Sequence, residues 1–385
     1  MNKGLSQSPS SRAGRVNTFA DFGTDSKSSK QTLWDAISYQ SSARSALQLA
    51  LKNPVHAYLL LGPRGVGKEE IAKIFAVSLL CEFGGCAKCE NCTLGMKDKH
   101  PDLVVVERIG NAISVGQARE VSAFSMGHPR IARKLVVVLT DFELVDEAAP
   151  ALLKTVEEPP GETVFIILAE AVTPKLVTIA SRCVEIRFNR LSNEEIITLL
   201  ESEGIDGEKA RRAVSVSQGR IDFAKRAIED EAFVRLFELF RSAPLEVRSN
   251  GSSITSYSRR LIESIDQALE ELVSRQEEEV KNNGELVKIG HSQISKADIA
   301  QRHKREQRRE RTELLQSGLA IMANYYGELL AQNVDSIDGG GTRAKIIDAV
   351  RAVELIDATS SFLDRNPNEA MLVEALLTRL SGLYR

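Results

Sequence analysis

One stretch, residues 57–80, restricts the fold of this 385-residue chain more than any other. Ala57-Tyr58-Leu59-Leu60-Leu61 has no polar side, so it reads as a strand buried on both faces. Gly62-Pro63-Arg64-Gly65-Val66-Gly67-Lys68 follows without a spacer. Next comes EEIAKIFAVSLLC, in which Ile71, Ile74, Phe75 and Leu79 recur at helical spacing. A strand, a glycine-rich turn and a helix in immediate succession require a parallel sheet with helices on both sides.

The rest of the front half repeats this alternation. LVVV (103–106), LVVVL (135–139), VFIIL (164–168) and VEIRF (184–188) are further buried-strand runs, separated by helical segments. Residues 31–190 are therefore expected to form an α/β domain. After Asn189 the strands stop. Ser192 and Glu195 make a capping-box pattern ahead of the apolar IITLL, and residues 191–245 read as a small helical lid. Pro244 and RSNGSSITS suggest a connection, and residues 256–385 read as a second helical domain. That domain carries a polar interruption near 281–292 and a break at Gly339-Gly340-Gly341. Residues 1–30 hold seven serines and no apolar periodicity, so they read as a disordered tail.

Gly62–Lys68 fits the phosphate-loop pattern G-x-x-x-x-G-K. Its glycines, Gly62, Gly65 and Gly67, let backbone amides reach phosphate oxygens, and Lys68 adds a positive charge. The next position normally offers a hydroxyl to magnesium, and here it is Glu69. A carboxylate beside a phosphate site repels a polyanion. The third strand should end in Asp-Glu, to hold magnesium and polarise water, but Leu139 is followed by Thr140-Asp141-Phe142-Glu143. Two readings result: a nucleotide site, with Glu143 substituting for the missing acid, or an ancestral loop that does not turn ATP over. The substitutions favour the second.

Cys81, Cys86, Cys89 and Cys92 lie within twelve residues as C-x4-C-x2-C-x2-C. Four thiolates bind Zn²⁺ tetrahedrally and leave no position for water, so a structural zinc is expected. Cys183 stands apart. His100, in His100-Pro101-Asp102, reads as part of a strand entry rather than a fifth ligand.

Net charge is −3, from 50 Lys plus Arg against 53 Asp plus Glu, so any nucleic-acid contact must be local or shared with partners. The longest apolar runs are about six residues, too short for a membrane span. The N-terminus lacks an apolar signal core, which suggests a cytoplasmic protein.

Together these marks resemble the bacterial sliding-clamp loader subunits of the AAA+ class. The resemblance covers residues 31–240. It rests on Trp34-Asp35, His56-Ala57-Tyr58-Leu59, the phosphate loop, the four cysteines and His100-Pro101-Asp102. Ala151–Pro160 (ALLKTVEEPP) and Ser181-Arg182-Cys183 are its most specific parts. It implies an AAA+ domain with an inserted zinc module (81–92), a helical lid and a helical collar that joins a five-membered ring.

Two subunit types share these marks: the ATP-hydrolysing gamma/tau motor and the delta-prime stator. The motor would carry Ser or Thr at Glu69 and Asp-Glu near Asp141. It would carry a sensor threonine within Ala169-Glu170-Ala171 and a sensor arginine at Asp222. Arg220 could serve as that sensor if the helix were offset. The departures favour delta-prime. The resemblance then gives Arg182 the role of an arginine finger, reaching ATP held by a neighbouring motor subunit. The implied partners are gamma/tau and delta subunits, with the sliding clamp and primed DNA met through the ring. The rivals are a working gamma/tau-type ATPase and a non-replicative AAA+ adaptor. Residues 302–311 (RHKREQRRER) read either as a contact for DNA phosphates or an acidic partner, or as a solvated helix face.

Overall fold

We describe the protein from a computed structural model. It describes residues 32–106, 113, 115–142, 149–174, 176–249, 253–288, 296–334, 340–365 and 367–383. Glu143 and the Ser-rich tail lie outside these residues. The chain divides into two compact units, residues 28–229 and, among the described residues, 230 onward.

In the first unit a 3₁₀ turn at Leu33–Ala36 precedes α1 (Ser41–Ala50). Five parallel strands follow: β1 (Ala57–Leu61), β2 (Leu103–Val106), β3 (Leu135–Leu139), β4 (Thr163–Ala169) and β5 (Val184–Arg187). Their order across the sheet is β2-β3-β4-β1-β5. β1 is an interior strand, because its side chains have no polar face to present. Tyr58, Leu59 and Leu60 pair with Ile166, Ile167 and Leu168 of β4 on one side and with Val184, Glu185 and Ile186 of β5 on the other. The edge strand β5 tolerates Glu185 and Arg187, which are partly or fully exposed.

The helices between strands are α2 (Lys68–Leu80), α3 (Glu90–Met96), α4 (Val115–Ser125), α5 (Ala149–Glu157) and α6 (Val177–Ala180). One core layer holds Ile71, Ile74, Phe75 and Val77 of α2 against Tyr58, Leu60, Ile166 and Leu168. Phe75 meets Tyr58 edge-on, with ring centroids 4.9 Å apart. The opposite layer gathers Leu59, Val137, Phe165 and Ile167 against Ala118, Val121 and Leu152.

α7 (Asn193–Ser202), α8 (Gly207–Ser217) and α9 (Ile221–Glu229) complete this unit. Ser192 does close α7 with a capping box: its hydroxyl accepts from the Glu195 amide at 3.2 Å, and the Glu195 carboxylate accepts from the Ser192 amide at 2.9 Å.

The second unit consists of α10 (Glu231–Ser249), α11 (Ile254–Lys288), α12 (Lys296–Val334), α13 (Gly340–Phe362) and α14 (Glu369–Gly382). Pro244 does not open a connection as the sequence suggests. It lies inside α10. An internal proline costs a helix roughly 3 kcal/mol. The fully buried Phe233, Phe237 and Phe240 keep the helix packed in spite of it. The polar stretch that begins at Lys281 is likewise helical as far as Lys288. Arg311 joins Asp266 of α11 and Glu369 of α14, while Lys304, Arg305, Arg308 and Arg309 lie on the exposed face of α12. Among the described residues no helix is long and apolar enough to cross a membrane.

Candidate functional site

The phosphate loop leaves β1 with Gly62, Gly65 and Gly67 at φ of +152°, +70° and +82°. At Gly65 and Gly67 glycine is required twice over. The left-handed backbone disfavours a side chain, and neighbouring groups already occupy the space a Cβ would need. At Gly67 that neighbour is the ring of Tyr39, and at Gly65 it is the Asp222 carboxylate with the Arg220 guanidinium.

Each cation at this loop is engaged by the protein itself. Lys68 is 2% exposed, and its Nζ donates to the carbonyls of Gly62 (2.6 Å) and Ala169 (2.8 Å). Arg64 pairs with Glu170 and, at 3.2 Å, with Asp141. Arg220 pairs with Asp222 at 2.6 Å and stacks over Phe223 at 3.6 Å. The Ile221 amide donates to the Gly65 carbonyl at 2.6 Å, which ties the start of α9 to the loop.

Acids complete the surroundings. Glu69 and Glu70 occupy the first turn of α2, where the helix dipole already favours negative charge. The Tyr39 hydroxyl donates to Glu70, and burial first, then the Glu70 charge, push the phenol well above its ordinary pKa. Asp141, the acid after β3, thus faces Arg64. Arg220 does come to the loop, but as the partner of Asp222.

The second constellation is the cysteine cluster. Cys81 ends α2, Cys89 caps α3 and Cys92 lies within α3. Their sulfurs and that of Cys86 all lie within 4.8 Å of one another, with Cys81 and Cys89 at 3.6 Å. Sulfurs about 2.3 Å from one tetrahedral ion stand about 3.8 Å apart, so the four can hold a metal ion. Ala87 adopts φ +61° in the turn that brings Cys86 and Cys89 together. Burial first, then the adjacent thiols of Cys89 and Cys81, raise the Cys92 pKa far above normal. At Cys86 burial opposes ionisation, but amide hydrogen bonds at Lys88 and Cys89 outweigh it and bring the thiol to about 7.

His100 is not part of this donor set. Its Nδ1 accepts from the Asp102 amide at 3.1 Å, and its Nε2 bonds Asn91 Oδ1 at 3.1 Å. Asp102 is fully buried and accepts from the amides of Arg130, Ile131 and Ala132 at 2.7–2.8 Å. It pins the entry to β3.

Arg182 follows α6. Its Nη1 donates to the Thr178 carbonyl (3.0 Å) and Ser181 Oγ (3.2 Å), and its Nε lies 3.3 Å from Glu157 Oε1. The side chain remains 44% exposed.

The sequence pointed to the loop, the cysteines and Arg182 individually. It did not reveal Tyr39 against Gly67, Asp222 against Gly65, or Glu157 as the partner of Arg182. Asp222 had drawn notice only as the place where an arginine was missing.

Comparison with known proteins gives this geometry a family setting. Residues 40–192 match the family described as DNA polymerase III, delta subunit. The Pseudomonas aeruginosa DNA polymerase III subunit delta-prime is 39% identical over 137 residues, 34% of this chain and 42% of that protein. The Haemophilus influenzae subunit delta-prime is 30% identical over 207 residues, 50% of this chain and 63% of that protein. The Haemophilus influenzae subunit tau/gamma is 36% identical over 147 residues, 37% of this chain and 21% of that protein. The chain spans about half the length of the curated delta-prime relatives it matches. These matches support a subunit of the clamp-loader delta-prime/gamma/tau family, and over the α/β region they do not separate its two types.

Proposed function

We propose, on the premise that the chain is a clamp-loader subunit of the delta-prime/gamma/tau family, that it is the delta-prime type. In this reading the chain is a cytoplasmic stator that helps a ring of subunits load the sliding clamp onto primed DNA. The observation that carries the choice is the state of the phosphate loop. Arg64, Lys68 and Arg220 are each held by internal partners, and Glu69, Glu70, Asp141, Glu170 and Asp222 surround them. A bound nucleotide would have to displace several of these contacts and would meet negative charge.

Arg182, half-exposed at the end of α6, supports the complementary part of the reading. A guanidinium offered to the ATP of a gamma/tau neighbour would neutralise charge that builds up in the transition state. Such fingers contribute about 10³–10⁵ in rate in characterised NTPases. The same chain would contact the delta subunit on its other side. Zinc is the metal proposed for Cys81, Cys86, Cys89 and Cys92, because four thiolates in a closed set suit a structural site. Of the expected lid (191–245), α7–α9 up to Glu229 are assigned as the lid, and α10 goes with the helices of the expected collar (256–385), from which the first unit is separate.

The test is an ATPase assay on the isolated chain and on a ring reconstituted with ATP-hydrolysing subunits. The stator reading expects background turnover by the chain alone, and a loss of DNA-stimulated turnover when the ring carries Arg182→Ala. The similarity to tau/gamma keeps the motor reading as the competitor. Magnesium-dependent turnover by the isolated chain at a motor's rate would establish that reading instead.

A further inference from the structure

The finger assignment leaves open how a long side chain on the surface is kept ready for a neighbour. An unrestrained arginine carries roughly 2 kcal/mol of rotamer entropy, all of which opposes fixing it at a phosphate. In this chain the guanidinium is restrained at two of its three nitrogens. Nε faces Glu157 Oε1 at 3.3 Å, and Nη1 is bound by the Thr178 carbonyl and Ser181 Oγ. Nη2 donates no hydrogen bond among the described residues, and the side chain is 44% exposed.

The position of Glu157 has its own cause. It is the last residue of α5, directly ahead of Glu158-Pro159-Pro160. Prolines have no amide to continue the helix, and they restrict the residue before them to extended backbone. The helix must therefore stop at this point, and the stop places the Glu157 carboxylate beside Arg182.

We infer that Glu157 is a positioning residue for Arg182: it holds one edge of the guanidinium so that Nη2 is presented to an anionic group on a neighbouring subunit. The inference rests on the proposal that Arg182 acts in trans. Glu157 touches no reacting atom, and its effect passes wholly through the arginine. An ion pair at this exposure contributes about 0.2–1 kcal/mol, which corresponds to a drop of up to about five-fold in turnover when it is removed.

The experiment is a double-mutant cycle on the reconstituted, full-chain loader. DNA-stimulated ATPase is measured with wild type, Glu157→Ala, Arg182→Ala and the double variant. Glu157→Ala should lower kcat about two- to five-fold and leave KM for ATP unchanged. It should have no further effect once Arg182 is alanine. Glu157→Gln keeps the size of the side chain but removes its charge, so it should lower kcat about as far as Glu157→Ala does. It also serves if the alanine variant fails to fold.

Wild-type or faster turnover with Glu157→Ala, alongside a strong loss with Arg182→Ala, overturns the positioning role and leaves the finger intact. An equal loss from Glu157→Ala in the Arg182→Ala background overturns it in favour of a structural role. No loss with Arg182→Ala removes the finger reading, and the positioning role with it.

Discussion

Removing the Asp222 carboxylate tests the occluded-loop reading most directly. Asp222 is half-exposed (49%), whereas the Arg220 side chain it neutralises is only 10% exposed. Breaking a fully buried pair costs about 3–5 kcal/mol, and an exposed one about 0.2–1. This pair lies between those limits, and Arg220 keeps its stacking on Phe223, so about 2 kcal/mol is expected. At about 2–4 °C per kcal/mol for a unit of this size, the Tm of Asp222→Ala should fall by about 4–8 °C. Asp222 Oδ1 also accepts from the Phe223 amide at 2.9 Å, at the start of α9. Asp222→Asn retains that acceptor while losing the charge, so the asparagine variant separates this hydrogen bond from the ion pair. Both variants leave a poorly neutralised guanidinium against Gly65, where an anion can replace the carboxylate. Pyrophosphate or ATP should then raise the Tm of the variants, by about 1.4 kcal/mol worth at ten times Kd, and leave wild type unchanged. The assay is a thermal melt with and without each anion, read beside direct nucleotide titration. If both variants melt with wild type, or wild type binds nucleotide as tightly as they do, the occlusion argument is wrong.

The other expectations are simpler to state. Carefully purified protein should hold about one equivalent of zinc, and Cys92→Ser, which replaces a fully buried sulfur, should lose it together with thermal stability. Metal-free protein that retains the wild-type Tm would count against the site. Asp102→Ala leaves three amides at the β3 entry without their acceptor and should cost about 2–4 kcal/mol in denaturant unfolding. The amides of Arg130, Ile131 and Ala132 outweigh burial and hold the Asp102 carboxyl below its usual range. Its contribution is therefore complete above the unfolded value near 3.9 and is lost as pH falls through the lower folded value; an acid titration of stability reads this in wild type and not in Asp102→Ala. Gly318→Ala would drive a methyl group into the buried Phe240 ring, and a loss of about 1–3 kcal/mol is expected by the same measurement.

The elements legible in the sequence were those whose signal is local. AYLLL, LVVVL and VFIIL have no polar face, so they could only be interior strands, and they form the centre of the sheet. The cysteine spacing implied one cluster because C-x2-C brings two sulfurs to the same side of a turn, and the four do converge. Pro244 misled because the local penalty of a proline is real, but burial of Phe233, Phe237 and Phe240 is a property of the packed helices.

The sequence by itself determined that this chain has a parallel sheet, a phosphate-loop turn with an acid where a hydroxyl belongs, a set of four thiols and a lone Ser-Arg-Cys. Those properties follow from residue type and near-neighbour spacing, which the chain carries before it folds. Only the tertiary structure decided that Asp222 lies against Gly65, that Tyr39 lies against Gly67 and that Glu157 holds one edge of Arg182. These partners are separated by 157, 28 and 25 positions respectively, and no local periodicity encodes which side chains meet across such distances. Their meeting is fixed by how helices α5, α6 and α9 and the segment before α1 close over the ends of the strands, where side-chain volume and charge must both be satisfied.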